Sequence, residues 1–353
     1  MRFLLCPLGS PGFSFPVIAI GRQLVAKGHV VAFATAPWLA PLLRGQGFTW
    51  IPAEPDDGSS FDTSRWHDPA AVAGQLRHLE HALQRFKPDV IVTSVMALGP
   101  LIVGEKTGIP VAVLGLMTPL LPQRGRRAEF QVALDRCQAH LGLAPVAVER
   151  MYGDLYLTRG VPELIEAPHL VGSCAWEPPI PKLVECWLAA VRQEERRVIY
   201  VHQARGFGAP GFWPLLTELP PDVRIVASTS RMDGGLMGAP EGALIGAVVP
   251  QAAVMRHAAA VVCSGTTAVV LGSMECGVPL VVVPAGGEQF DVAVLVEQAG
   301  IGASLPVREA TSEQLAATLE GVLKMDPTVR TGLQQAFARI DGPTHAASLI
   351  ERL

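Results

Sequence analysis

Apolar residues along this chain fall into short runs separated by stretches with helical spacing. Arg2 to Cys6 is an apolar run broken by a Gly/Pro/Ser loop, and Val17 to Lys27 then places apolar residues on one helical face. Gly28 closes that helix, His29 to Ala34 supplies a second β-rich run, and Trp38–Gln46 followed by Phe48–Ile51 repeats the alternation. Further strands are expected at Val90–Thr93, Pro110–Leu114, Tyr156–Leu157 and His169–Val171, with helices such as Pro69–Phe86 and Glu129–His140 between them. Such βαβ units give a parallel sheet, so the first half reads as one complete doubly wound layer.

From Gly172 to Lys182 the pattern lapses, and Pro178, Pro179 and Pro181 oppose both helix and ladder pairing. A domain boundary is expected there. Beyond it, Arg197–Val201, Val223–Ala227, Ala243–Ile245, Ala260–Cys263 and Leu280–Val283 are strand-like. They alternate with helices at Phe212–Glu218, Gln251–Ala258, Thr267–Cys276 and Gln289–Ala299, which makes a second doubly wound layer. The tail from Ser312 to Leu353 has helical period, with Pro327 and Pro343 at expected helix starts. The fold class is therefore α/β, two Rossmann-like doubly wound parallel-sheet domains facing a cleft, and ligands are expected at the carboxyl ends of the strands.

Composition narrows the function classes. With 353 residues and 49% apolar content there is enough core for two domains, and 35 glycines with 30 prolines fit many short connections. A formal charge of -4 and the lack of a Lys/Arg-rich run argue against nucleic acid as a partner. Cys6, Cys137, Cys174, Cys186, Cys263 and Cys276 show no C-x-x-C spacing, so no zinc knuckle or disulfide framework is indicated and a reducing cytoplasm fits. The opening MRFLLCPLGSPG is too short an apolar run for a signal segment, and no stretch is expected to span a bilayer.

The most informative stretch runs from Pro250 to Gly302. It carries, in order, Pro250-Gln251, a strand, a Ser264-Gly265-Thr266-Thr267 turn opening a helix, Gly277-Val278-Pro279, an apolar strand, and Glu288-Gln289. The first half adds a Gly-x-x-Gly-x-x-x-Pro loop from Gly9 to Pro16 and Lys27-Gly28-His29-Val30 at the second strand. In these features the chain resembles the family 1 glycosyltransferases, two-Rossmann enzymes of the GT-B fold. The resemblance implies an N-terminal acceptor-binding domain over 1–173, a Pro-rich linker over 174–181, a nucleotide-sugar-binding domain over 182–341 and a final helix, 342–353, returning to the first domain. It also implies an inverting transfer from a dTDP- or UDP-sugar to a small natural-product acceptor. No metal or other cofactor is expected, no transmembrane segment is needed, and a monomer and a homodimer both stay open.

Physical chemistry supports several of these positions. A strand ending at Cys263 and followed by Ser264, Gly265, Thr266 and Thr267 places small hydrogen-bonding residues at a helix N-terminus, where free N–H groups and the dipole favour a diphosphate. Simple helix capping by Ser264 or Thr266 is the plainer reading of the same residues. Glu288 offers an acceptor-only carboxylate beside the Gln289 amide, suited to sugar hydroxyls; in the family this pair is usually Asp-Gln. Gln251 falls where the family packs its base, while His202, Gln203 and Arg205 follow the first strand of the second half, within reach of phosphate.

The departures are as informative. Ser264 stands where the family has a histidine in its phosphate loop, Val269 replaces a later Ser/Thr, and Gly272 replaces the glutamate after it. Ser-Gly here also resembles the lipid-linked N-acetylglucosaminyl transferases of cell-wall synthesis. The family's catalytic His or Asp falls on Phe13, which accepts no proton, so the general base is unassigned. Ser10, Gly12, Phe13 and Ser14 are expected as acceptor-loop contacts only. Asp56, Asp57, His67, His78 and His81 are the substitute bases to consider, against a plain solvated face, while His29 and His257 are read as structural. Gln123 to Arg127 is read as a charged loop, and Trp38, Trp50 and Trp66 either line an aromatic pocket or pack the core. A homologue that binds nucleotide-sugar without turnover is the rival that Phe13 favours. A nucleotide-sugar epimerase shares the architecture but fits the acid-Gln pair and Pro-Gln less well.

Overall fold

The computed structural model describes residues 1–53, 67–119, 121, 124–203, 213–216, 218–228, 242–246 and 249–353. Asp56, Asp57, Trp66, Gln123 and Arg205 lie outside the described residues. Contacts divide the chain into two compact units, the first formed by Met1–Pro162, Glu166–Trp176 and Ile340–Leu353, the second by Glu163–Ile165 and Glu177–Arg339.

The first unit holds β1 (Arg2–Cys6), β2 (Val30–Thr35), β3 (Thr49–Pro52), β4 (Val90–Ser94), β5 (Val111–Leu114) and β6 (Leu155–Leu157). They form one parallel sheet in the order β3-β2-β1-β4-β5-β6. Its helices are α1 (Pro11–Ala26), α2 (Ala40–Gly45), α3 (Pro69–Phe86), α4 (Leu98–Thr107) and α5 (Arg124–His140). Apolar layers cover both faces: Leu4, Ala32 and Ile91 pack under α3 and α4, while Leu5, Phe33 and Val92 pack under α1. Strands buried on both sides read as unbroken apolar runs, which is why these were legible without polar alternation.

The second unit holds α6 (Lys182–Gln193), β7 (Arg197–His202), β8 (Val223–Ser228), β9 (Leu244–Gly246), α7 (Gln251–Met255), β10 (Ala258–Cys263), α8 (Thr267–Cys276), β11 (Leu280–Val282), α9 (Gln289–Gln298) and β12 (Gly302–Ser304). α10 (Ser312–Leu323) and α11 (Thr328–Ala338) complete it. Its sheet is again parallel, ordered β12-β11-β10-β7-β8-β9. In both sheets the strand order reverses beside the unit's first strand, between β1 and β4 and between β7 and β10. That is the doubly wound arrangement, and ligands of such sheets bind at this switch point.

The last helix, α12 (Gly342–Ile350), packs on the first unit. Gly342 lies so close to the chain that a Cβ there would stand 2.2 Å from the Val171 carbonyl oxygen. Glu351, just past the helix, pairs with Lys27 and His29 at the end of α1. Among the described residues no helix is long and apolar enough to cross a membrane.

Several boundaries differ from those the sequence predicts. The expected strand His169–Val171 is reduced to isolated bridges, Thr158 with Leu170 and Gly160 with Gly172, because glycines with positive φ at 160 and 172 turn the chain out of a ladder. The described part of Phe212–Glu218 holds a single 3₁₀ turn, Trp213–Leu216. α7 stops at Met255, and Ala258, expected as its last residue, opens β10. Arg124–Arg127, expected in a loop, begin α5. α1 begins at Pro11 rather than Val17, so Gly12, Phe13 and Ser14 occupy a helical first turn and Pro16 is internal to the helix.

Candidate functional site

At the switch point of the second unit, β7 ends at His202 and β10 ends at Cys263. The two residues are paired in register, and the Ser264 N–H donates to the His202 carbonyl at 3.2 Å. Ile199, Val201, Ala260, Val262, Val281 and Val283 face α10 in one core cluster. Alternation therefore puts Tyr200, His202, Val261, Cys263 and Val282 on the opposite face, the one α8 covers.

The turn itself depends on Gly265. Its φ is +85°, and a Cβ there would stand 3.0 Å from Val282 Cγ1 and 3.2 Å from the Gln289 carbonyl oxygen. Only a residue without a side chain fits, and its fit brings the Ser264–Thr267 turn against the start of α9, where Glu288 is the N-cap and Gln289 is buried. Thr266 is the N-cap of α8, yet its hydroxyl makes no capping bond; Oγ1 is buried without a partner. His202 Nδ1 is also buried and unpartnered. Buried polar atoms are ordinarily satisfied, so an idle hydroxyl at the α8 N-terminus and an idle imidazole nitrogen at the end of β7 are both suited to a polar ligand.

The two titratable groups at the ends of β7 and β10 carry no charge at neutral pH. Burial drives the His202 imidazole down to about 4 and pushes the Cys263 thiol up to about 12. A histidine with a depressed folded value binds its proton more readily when unfolded. Stability is thus complete above the ordinary value of 6.5 and is lost as pH falls toward 4, by about 3 kcal/mol. Urea unfolding at pH 7 and pH 4 is expected to show that excess loss in the wild type relative to His202→Asn. Parallel pH dependence in the two proteins would remove His202 as its source.

Gln289 and Gln251 are partly committed within the protein. Gln289 Oε1 accepts the Ala285 N–H at 2.9 Å, which leaves its amide nitrogen as the end suited to a sugar hydroxyl. Gln251 Nε2 donates to the Ala268 carbonyl at 2.9 Å across α8. Gly272 makes room for it, since a Cβ at 272 would stand 2.4 Å from that nitrogen. A side chain at position 272 would displace the Gln251 amide from this hydrogen bond. The Ala252 N–H is held by both Glu177 carboxylate oxygens, at 2.8 and 2.9 Å, and burial raises the pKa of that carboxyl.

In the first unit, Ser10 is the N-cap of α1 without a side-chain cap bond, and Ser14 Oγ donates to the Ser10 carbonyl at 3.0 Å. Phe13 packs on the apolar cluster that also holds Leu76, Val95 and Leu98. Among the proposed substitute bases, His78 and His81 lie exposed on α3. His67 has an unpartnered, buried Nε2 and a pKa lowered by desolvation, with its ring edge-on to Phe130. Trp38 and Trp50 pack on the core beneath α1 and α2, and Trp50 Nε1 donates to the Thr35 carbonyl. His29 and His257 sit beside Glu351 and Arg192 at the surface.

Residues 239–330, which contain α7, β10, the Ser264 turn and Glu288-Gln289, match the family model for UDP-glucoronosyl and UDP-glucosyl transferase. Over 95% of this chain and 93% of its own length, the NDP-glycosyltransferase YjiC of Bacillus subtilis is 23% identical. The chain has the GT-B fold. Solved glycosyltransferase structures share that fold along the whole length of the chain. SsfS6 of Streptomyces sp. SF2575, complexed with thymidine diphosphate, superposes with a TM-score of 0.73 at 22% identity, covering 100% of both chains. Spinosyn rhamnosyltransferase SpnG, complexed with spinosyn aglycone, gives 0.71 at 25% identity over 100% of this chain and 99% of SpnG.

Proposed function

We propose that the protein moves a sugar, with inversion at the anomeric carbon, from a dTDP- or UDP-sugar to a small natural-product acceptor. The observation that carries this is the second unit's switch point, where the N-terminus of α8, the Gly265 turn and the idle Thr266 and His202 atoms converge. Ser264, Gly265, Thr266 and Thr267 hold the diphosphate, with His202 beside them as a neutral hydrogen-bonding partner. Glu288 and Gln289 hold the sugar, and Gln251 braces α8 next to the nucleotide. As the acceptor attacks, negative charge builds on the departing diphosphate, and preorganised N–H and hydroxyl donors stabilise it there. The thymidine diphosphate complex of SsfS6 and the aglycone complex of SpnG support the two substrate classes.

Phe13 in the first turn of α1 favours a second reading, a protein that binds nucleotide-sugar without transferring it. The test mixes purified protein with dTDP- and UDP-sugars and a panel of acidic, phenolic and alcoholic acceptors, following glycoside mass and released nucleotide. A glycoside formed in step with nucleotide release is the expected result. Donor binding by calorimetry with every acceptor unchanged would leave the binding reading in its place.

A further inference from the structure

Arg159 follows β6 and is 2% exposed. A guanidinium taken out of water needs a counter-charge or a full set of acceptors. Nε donates to the Gly115 carbonyl at 3.0 Å, and Nη1 reaches the Gly12 carbonyl at 3.5 Å. The Gly12 carbonyl is available because the residue four places on is Pro16, which has no N–H to offer it. The guanidinium fork carries more donors than these two carbonyls take. Among the described residues no carboxylate pairs with it: the side chains that act on its charge are Cys174 and Tyr156, and burial holds the Tyr156 phenol protonated. Burial lowers Arg159 to about 10, which still leaves it a cation at neutral pH.

Two idle hydroxyls belong to the same neighbourhood. Tyr156 lies over Gly115, where a Cβ would stand 2.3 Å from its hydroxyl oxygen. That oxygen sits near the Leu116 backbone without completing a hydrogen bond. Thr118 is 3% exposed, its Oγ1 is unpartnered, and it lies two residues past Leu116, whose carbonyl accepts the Arg159 N–H. The end of β5, the residues after β6 and the first turn of α1 thus gather one buried cation lacking an anion and two hydroxyls lacking partners, beside the turn that carries Phe13.

Resting on the transferase reading above, we propose that this cluster receives a carboxylate of the acceptor, and that this carboxylate is the nucleophile. One carboxylate oxygen pairs with the Arg159 guanidinium while the other bonds to the anomeric carbon. The bond from that carbon to the diphosphate oxygen breaks, and its electron pair leaves with the nucleoside diphosphate. The product is a sugar ester. No proton is removed in this step, because carboxylates are already ionised at neutral pH, and a phenylalanine at position 13 therefore costs the reaction nothing.

The experiment offers the full-length protein a dTDP- or UDP-sugar and matched aryl acceptors that differ only in carrying a carboxylate, a primary amide or a primary alcohol. The acid is expected to exceed the alcohol in kcat/KM by on the order of 10²-fold and to give an alkali-labile ester. Arg159→Met is expected to lower kcat/KM for the acid by a similar factor while nucleotide affinity by calorimetry stays unchanged, with Arg159→Lys recovering part of it. Should Arg159→Met fail to fold, Arg159→Lys and the wild-type acid-to-alcohol ratio carry the test. Preference for the alcohol, nucleotide binding without transfer to any acid, or an Arg159 variant that keeps the acid preference overturns the inference alone. A protein that binds neither nucleotide nor acceptor overturns the transferase reading itself.

Discussion

Replacing Gly265 with valine is expected to lower affinity for thymidine or uridine diphosphate by more than about 100-fold and to destabilise the second unit by about 3 kcal/mol. The stability cost combines a left-handed backbone at a β-branched residue with overpacking against Val282 and the Gln289 backbone. The binding cost arises because the α8 N-terminus and the start of α9 meet through that glycine, so forcing them apart moves the α8 N–H groups and the Glu288-Gln289 pair together. Calorimetric titration with nucleotide, alongside thermal unfolding, separates the two effects. Unchanged nucleotide affinity in a folded Gly265→Val protein would move the diphosphate away from this turn.

Installing a base is the converse experiment. Phe13→His is expected to raise kcat/KM for alcohol acceptors by about 10²-fold, with a rate that climbs through the titration range of the new imidazole, since a positioned general base contributes in this range. Phe13 is partly buried on an apolar cluster, so the substitution costs about 1 kcal/mol of stability. Transfer to carboxylate acceptors is expected to stay nearly flat across the same pH range, because their ionisation lies well below it. Equal, pH-independent rates with alcohols in both proteins would mean that position 13 does not adjoin the nucleophile.

The two sheets were legible because their strands are apolar runs, and the Ser264 turn was legible as a strand-to-helix connection because a glycine between small hydroxyl residues follows the apolar run that ends at Cys263. α4 is harder to read. Its sequence LGPLIVGEKT carries two glycines and a proline, residues that argue against a helix by propensity. Tertiary packing explains them: a Cβ at Gly99 would stand 2.4 Å from Gln75 Oε1, and one at Gly104 would stand 2.3 Å from Val111 Cγ2. The early start of α1 was hidden for a related reason, since Pro16 reads as a helix start until Arg159 is seen to take over the Gly12 carbonyl. Arg159 itself, a lone arginine after a short strand, has no spacing that distinguishes it from a surface charge.

Placing α12 in the first unit has a consequence for biosynthesis. Ala346, Ala347 and Ile350 are fully enclosed in the same core as Ile18 and Leu24, so that core lacks a wall until they have left the ribosome. The second unit, a nearly continuous segment ending at Arg339, has all but a few of its residues contiguous in the chain and is made before them. Maturation therefore runs out of order: the portion begun first is finished last, and a nascent chain stalled short of residue 340 carries an open apolar groove for chaperones to guard.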